Sequence, residues 1–194
     1  ESLLDLTGNQ TVEVSDLVYN PDLTYSFDGS TSGIDCGEVI LGDNGPFTVG
    51  AWINATTISA NSGILSKVVP TQSGSPYGFM CCIHTLGKLA FFNNLGWVYS
   101  PDFGLTTNTD YYVNFVYNGD GLLKYYVNGE FVGSSTLGPW PETAGHRIFV
   151  GSWYDSSDNY DFDGDISVAQ LYNRVLSPDE VKQNFNALRG RYGI

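Results

Sequence analysis

The stretch LKYYVNGEFVG, residues 123–133, decides the fold class of this chain. Asn128-Gly129 fits the two central positions of a type I′ turn, both of which need a positive φ. The turn pairs Tyr126 with Phe131, and the next pair, Tyr125 with Val132, joins an aromatic to a β-branched residue on the other face. We therefore expect an antiparallel hairpin whose two faces are both at least partly covered.

Short runs of β-branched and aromatic residues recur along the rest of the chain. They are separated by clusters of Gly, Asn, Asp, Pro and Ser, and glycine alone supplies 23 of the 194 residues. This pattern predicts an all-β fold, a two-sheet antiparallel β-sandwich over one domain of residues 1–194. The predicted strands are Tyr25 to Phe27, Gly33 to Cys36, Phe47 to Ile53, Gly63 to Val68, Tyr77 to Ile83, Lys88 to Phe92, Tyr111 to Tyr117, Leu122 to Val127, Glu130 to Ser134, Arg147 to Gly151 and Ile166 to Tyr172.

One short C-terminal helix is predicted after the last strand. Ser177 is a suitable N-cap, Pro178 fits the first helical position, and Glu180 completes a capping box. The helix is expected to end near Leu188, before the glycine of residue 190. Its apolar stripe consists of Val181, Phe185 and Leu188.

The charge and the cysteines exclude several classes of protein. With 8 basic and 21 acidic residues the net charge is −13, which repels nucleic acid and anionic lipid. No apolar run approaches the roughly 20 residues of a membrane span, so we expect a soluble chain without membrane insertion. Cys36, Cys81 and Cys82 cannot all pair, and the adjacent two are badly placed for an ordinary disulfide. We expect Cys36 and one of the adjacent pair to be buried, the other to face outward, and assembly in a reducing compartment.

A series of segments occurs in a characteristic order over residues 23 to 186. They are YSFDG (25–29), IDC (34–36), FTVGAWI (47–53), GILSK (63–67), YYVNFVYNG (111–119), YYVNG (125–129), FVG (149–151), FDGDI (162–166) and QLYNRVLSPDE (170–180). In order and spacing the chain resembles the laminin G-like, concanavalin A-like lectin/glucanase jelly-roll domains. The resemblance implies a jelly-roll fold but no single function, because such domains serve as sugar-binding modules, adhesion domains, hydrolases and structural parts.

The last nine residues carry a second resemblance. The segment NALRGRYGI, residues 186–194, is similar to the C-terminus of jelly-roll domains in tailed-bacteriophage virion proteins. This similarity implies a virion surface as the location of the protein.

An acidic segment is a candidate calcium site. Five aspartates fall within eleven residues, a density that a hard cation or water must screen. The family resemblance nominates Asp28 and Asp165 as structural Ca²⁺ ligands, with backbone carbonyls near Gly29 and Asp163. In the alternative interpretation, Asp28 and Asp163 form turns before glycine and the other aspartates are a solvated rim. The five aspartates are Asp155, Asp158, Asp161, Asp163 and Asp165.

Loops that combine flat aromatic rings with short polar side chains are candidate saccharide sites, since sugars stack C–H faces on rings and hydrogen-bond through hydroxyls. Two clusters are predicted in rim loops, with Trp140 as a third exposed ring, whereas Trp52 is expected in the core. The alternative is that the loop tryptophans pack over the ends of the sandwich. The first cluster is Trp97, Asn93, Asn94 and Tyr99; the second is Trp153, Tyr154, Asp155, Asp158, Asn159 and Tyr160.

Hydrolysis is not expected. Glycosidases of this fold carry a Glu-x-Asp-x-x-Glu strand motif that places two carboxylates on one face, and no glutamate of this chain begins it. His84 and His146 lack metal-ligand spacing. The sequence therefore favours a non-catalytic carbohydrate-binding and adhesion module, displayed on a larger assembly and bound to a cell-surface glycan or polysaccharide. The alternative is a structural capsid or tail decoration domain that binds neighbouring virion subunits, with residues 189–194 as a docking peptide.

Overall fold

Two antiparallel seven-stranded sheets form the body of the protein, as the sequence predicts. The structure is a computed structural model that describes residues 13–15, 17–20, 24–38, 45–58, 61–69, 78–93, 95–138, 146–153 and 160–194. The strands are β1 (Glu13–Ser15), β2 (Val18–Tyr19), β3 (Tyr25–Asp28), β4 (Gly33–Glu38), β5 (Phe47–Ala55), β6 (Ser62–Val68), β7 (Gly78–His84), β8 (Lys88–Asn93), β9 (Gly96–Tyr99), β10 (Asp110–Tyr117), β11 (Leu122–Val127), β12 (Glu130–Thr136), β13 (Arg147–Val150) and β14 (Asp163–Tyr172).

The strand order places chain-distant segments side by side. The first sheet has the order β1-β4-β13-β6-β7-β8-β9, and the second has the order β12-β11-β10-β5-β14-β3-β2. The inner faces enclose the main core, in which Phe47 stacks on Phe79 with ring centroids 4.5 Å apart. Within the described ranges, neither helix is long or apolar enough to span a bilayer.

The hairpin that decides the fold class forms with one change of register. Asn128 and Gly129 have φ values of 51° and 79°, as the I′ turn requires. Tyr126 pairs with Phe131 as predicted, but a bulge then places Tyr125 opposite Gly133, not Val132. The bulge brings a residue without a side chain against Pro101, where a Cβ would lie only 2.3 Å from the proline ring.

Helix α1 (Pro178–Leu188) covers the outer face of the second sheet. The predicted capping box is confirmed, because the Glu180 backbone N–H donates to Ser177 Oγ and the Ser177 N–H donates to Glu180 Oε2. Val181 and Phe185 are buried. A 3₁₀ turn, Arg189–Tyr192, follows directly and packs back onto the sheet through Tyr192.

Three short strands, β1, β2 and β9, were not predicted, and β14 begins three residues earlier than expected. These corrections matter for the candidate residues. Trp97 and Tyr99 lie on β9, and Asp163 and Asp165 lie on β14, whereas the sequence placed all four in loops. The first residues of β14, Asp163 to Asp165, have weak β propensity and are held in the strand by pairing with β3, whereas β9 consists of β-forming residues in a run too short to be recognised without its pairing with β8.

The cysteines depart from the expected arrangement. Cys82 points to the outer face of the first sheet yet is as fully buried as Cys81, because a second apolar layer covers that face. Cys36 is half-buried. Burial raises the pKa of Cys36 to about 11 and the pKa values of the other two thiols well above their ordinary value, so all three remain thiols at neutral pH.

Candidate functional site

Strand β9 places two aromatic rings on the outer face of the first sheet. Trp97 and Tyr99 are two residues apart, so both point to the same side of the strand, while Val98 between them points into the core. Trp97 is paired with Phe92 of β8. Tyr99, at the next same-face position of the edge strand β9, extends this group of aromatic rings on the outer face.

The rings of Trp97 and Tyr99 form a nearly parallel pair that other aromatic rings adjoin. The Trp97 and Tyr99 rings are 6.5 Å apart with an interplanar angle of 19°, so they are nearly parallel. Phe92, the cross-strand partner of Trp97, and Tyr160 both contact the Trp97 ring, with centroid distances of 4.9 and 6.1 Å. Tyr99 is 39% exposed and Trp97 is half-buried. We refer to Phe92, Trp97, Tyr99 and Tyr160 as the outer-face aromatic patch.

Trp153 supports the patch and is not itself an exposed ring. It is 3% exposed, and its ring meets Phe92 edge-on at 5.6 Å. The Ser66 hydroxyl donates to the carbonyls of Ser152 and Trp153, which holds this segment against the sheet. The predicted exposure of Trp153 is therefore wrong, and the packing alternative describes its ring.

Asn93, a polar member of the first predicted saccharide cluster, is buried as well. Asn93 is 2% exposed, and its Oδ1 accepts the Leu95 backbone N–H over 3.0 Å, so its side chain serves the β8–β9 turn. The sequence placed it beside a ligand, but the alternation of β8 turns it inward. The residues Asn94, Trp140, Tyr154, Asp155, Asp158 and Asn159 lie outside the described part of the chain.

His84 is a polar neighbour of the patch that sequence reasoning missed. Its ring meets the Tyr99 ring edge-on at 4.9 Å, and it pairs across the β7–β8 hairpin with Lys88. Partial burial, with a smaller contribution from Lys88, lowers the pKa of His84, so the imidazole is neutral at pH 7. Because the Leu86 N–H donates to Nδ1, the proton lies on Nε2, which can donate to a ligand hydroxyl.

Asp28 organises the turn after β3. Its Oδ1 accepts the backbone N–H groups of Ser30, Thr31 and Ser32 at 2.9, 2.8 and 3.0 Å, and its Oδ2 accepts the Thr31 hydroxyl at 2.7 Å. The hydrogen bonds from Thr31 are the main cause that holds the pKa of Asp28 far below its usual range. This is the turn geometry of the alternative interpretation.

The other two calcium candidates, Asp163 and Asp165, accept hydrogen bonds from residues distant in the sequence. Asp163 pairs with Asp28 in the β3–β14 register, and its Oδ2 accepts the Thr57 hydroxyl at 2.6 Å. Asp165 accepts the Ser26 hydroxyl. The described residues contain no group of three acidic, His or Cys side chains that could hold a metal ion. Protein donors bind both carboxylate oxygens of Asp28 and one oxygen of Asp165, and calcium stays a prediction that these contacts do not test.

The turn at Asp28 makes the free energy of unfolding depend on pH. Its native pKa lies below that of the unfolded chain, so the stabilisation is complete above the ordinary carboxyl range and is lost as the pH falls below about 4. We expect Asp28→Asn to destabilise the protein at pH 7, and the difference from the unsubstituted protein to shrink steadily as the pH is lowered below about 4. Urea unfolding at a series of pH values between 7 and 2 measures this, with the exposed Asp120→Asn as control; a difference that does not change with pH contradicts the assignment.

The sequence matches the model of one known protein family. The family model Laminin_G_3, described as the concanavalin A-like lectin/glucanases superfamily, matches residues 28–182. No curated protein matches the sequence.

Solved structures with the same fold include toxin and sialidase binding domains. The binding domain of botulinum neurotoxin DC, solved in complex with rat synaptotagmin II, aligns with a TM-score of 0.73 and 16% identity over 96% of this chain and 49% of that one. The botulinum neurotoxin serotype D binding domain aligns with a TM-score of 0.70 and 19% identity over 96% and 49%. This chain thus spans about half the length of the toxin domains.

A third structure is closer in size. The CBM40 of the Ruminococcus gnavus IT-sialidase, solved with alpha2,3 sialyllactose, aligns with a TM-score of 0.62 and 18% identity over 73% of this chain and 82% of that one. At these identities the likeness concerns the fold alone.

Proposed function

The chain belongs to the concanavalin A-like lectin/glucanases superfamily, and from that premise we propose that it is a non-catalytic module that binds carbohydrate through the outer-face aromatic patch. The observation that carries the proposal is the pair of nearly parallel rings on the outer face of the first sheet, Trp97, which is half-buried, and Tyr99, which is 39% exposed. The printed names of the similar structures, toxin binding domains and a sialidase CBM40 solved with sialyllactose, support a binding role.

The spacing of the two rings suits a linear saccharide. Same-face positions of one strand are about 6.6 Å apart, so each ring can stack on a different sugar unit of one chain. The neutral His84 lies against the Tyr99 ring, and Lys88 is paired with His84 in the neighbouring hairpin, so both supply donors for hydroxyl groups. An apolar platform with a few polar groups at its margin is the usual composition of a ligand site.

The proposal includes display on a larger assembly, namely a virion surface. A single shallow site binds weakly, and many copies on one scaffold raise avidity without new contacts. The similarity of residues 186–194 to virion jelly-roll domains supports this location. A structural calcium ion near Asp28 and Asp165 is retained as part of the proposal, to be tested with the glycan.

The competing function is a decoration domain that docks to virion subunits through its C-terminal residues. Tyr192 stacks on Trp52 at 4.0 Å, so much of that segment is already used inside the domain. Ile194 remains 45% exposed. Deletion of Ile194 alone is therefore a cleaner test of docking than deletion of residues 189–194, which would also unpack Tyr192.

Substitution of the patch rings tests the proposal. On a glycan array we expect Trp97→Ala and Tyr99→Ala to lose at least ten-fold in binding, since each removes a stacking surface. Phe131→Ala is the matched control, because Phe131 is an exposed aromatic ring on β12 at 56% exposure.

The array is run with calcium and with EGTA, and the glycans are then analysed for cleavage. Binding that disappears in EGTA and with Asp165→Ala supports the metal. Unchanged glycan binding by Trp97→Ala and Tyr99→Ala with lower melting temperatures would assign the rings to packing and overturn the proposal. Cleaved glycan would contradict the non-catalytic role.

A further inference from the structure

A cleft of about 320 Å³ lies on the opposite side of the molecule, on the outer face of the second sheet beside the 3₁₀ turn. Three strands form its floor and the C-terminal turn forms one wall. Its principal lining residues are Asn54, Asp110, Asp165, Ser167, Arg191 and Tyr192.

The floor is one row of polar side chains across β14, β5 and β10. The register pairs Asp165 with Asn54 and Asn54 with Asp110, so the three residues lie side by side on one face. Asn54 Nδ2 donates to Asp110 Oδ1 over 3.0 Å, and the Ser26 hydroxyl donates to Asp165 Oδ1. Each carboxylate is thus oriented by one protein donor, and its second oxygen can accept from a ligand.

The wall is held rigidly by the core. The Tyr192 ring stacks on the fully buried Trp52 at 4.0 Å with an interplanar angle of 15°, and its hydroxyl shares a 2.7 Å hydrogen bond with Ser167. The Arg191 guanidinium lies 5.5 Å from the centre of the same ring. The wall therefore presents hydroxyl and guanidinium groups across from a floor of carboxylate acceptors.

The spacing of the floor argues against a shared metal ion. Adjacent strands are about 4.8 Å apart, so the backbones of Asp110 and Asp165, on either side of β5, are about 10 Å apart. Calcium needs ligand oxygens within about 2.6 Å of one point, which parallel side chains at that separation do not provide. A larger ligand with several hydroxyl groups can reach both carboxylates at once.

The charge of the cleft selects among such ligands. Among the lining residues that the structure describes, two carboxylates and one guanidinium are charged, within a chain of net charge −13. An acidic sugar would bring a further negative charge against Asp110 and Asp165, and like charges at short range are unfavourable.

We infer that this cleft is a second saccharide site, specific for an uncharged sugar unit whose hydroxyls donate to Asp110 and Asp165. The inference rests on the proposed carbohydrate-binding function and extends it. Because the patch and the cleft lie on opposite outer faces of the sandwich, one molecule could hold two separate glycan chains. Two sites facing in opposite directions would crosslink a polysaccharide as well as adhere to it.

NMR titration of the ¹⁵N-labelled protein tests the inference. The probes are glucose, galactose, mannose and N-acetylglucosamine, with N-acetylneuraminic acid as the acidic counterpart, and the reporter is the side-chain amide of Asn54. We expect at least one uncharged sugar to shift this signal, and Asp110→Asn and Asp165→Asn each to weaken its binding at least ten-fold. Asp120→Asn, which makes the same charge change at an exposed position, should leave binding unchanged.

The outcomes separate this inference from the proposed function. Trp97→Ala should leave the Asn54 shifts intact, because the patch lies on the other face. If glycan binding requires Trp97 while no sugar shifts Asn54, the second site is wrong and the patch stands. Equal affinity for the acidic sugar overturns the charge selection. If no sugar perturbs either face, both proposals fail.

Discussion

Replacing Trp52 with alanine is expected to lower the free energy of unfolding by about 4 kcal/mol, in the middle of the range for truncation of a buried aromatic side chain. The side chain has no exposed surface. It is stacked on Tyr192 at 4.0 Å, and it also contacts Tyr112 and Phe185 at 5.4 and 5.7 Å. Its loss removes the surface on which helix α1 and the 3₁₀ turn both rest, and the resulting cavity can close only if the helix moves.

Chemical denaturation monitored by circular dichroism measures the effect. Trp52→Phe keeps a ring in place and should cost much less, which separates the cavity from any effect of the indole N–H. The Asn54 amide signal should also lose its response to sugar in Trp52→Ala, under conditions where the protein is still folded, because Tyr192 no longer has a fixed position. A loss of stability below 1 kcal/mol would show that the C-terminal elements are only loosely attached.

Local patterns predicted the parts of this fold that local interactions form. The capping box is complete within four residues, and the type I′ turn depends on Asn128 and Gly129 alone. The turn at Asp28 forms as one interpretation of the sequence predicts, because an aspartate that precedes glycine often accepts nearby backbone N–H groups, whereas Asp163, for which the same interpretation predicts a turn, lies in β14.

The remaining features depend on contacts between distant residues. Trp153 is buried because Phe92 and the first sheet lie beneath it, some sixty residues away in the chain. Strand β9 exists because β8 pairs with it. The floor of the cleft joins Asn54, Asp110 and Asp165 from three strands, and no spacing in the sequence reveals that they share a row.

Gly164→Ala is the second substitution with a large expected effect. Gly164 lies in β14 between the two aspartates of that strand, with φ of +135°, where a Cβ would lie 2.2 Å from the Asn54 carbonyl oxygen and 2.8 Å from Ala55 Cα. Both obstacles are backbone atoms of the neighbouring strand, so no side-chain rotation can relieve the clash. Backbone strain and overpacking each cost about 1–3 kcal/mol, and together they predict a loss of about 3 kcal/mol or more.

Two other glycines separate the causes of this loss. Gly104 also has a positive φ, +74°, but open space around it, so Gly104→Ala should show the strain alone, about 1 kcal/mol. Gly190 has open space and no positive φ, so Gly190→Ala should be close to neutral. The urea midpoint should be highest for Gly190→Ala, lower for Gly104→Ala and lowest for Gly164→Ala. Equal losses at Gly104 and Gly164 would contradict the steric argument.

The Gly164→Ala substitution should also affect the cleft, because Gly164 determines how closely β14 approaches β5. Asp165 follows it directly and owes its place beside Asn54 to that close approach. If β14 must move outward to admit a methyl group, the row from Asp165 to Asp110 widens and a sugar can no longer reach both carboxylates. Gly164→Ala that remains folded should therefore lose the Asn54 response to uncharged sugars while it keeps glycan binding at Trp97, a result that loss of stability alone does not produce.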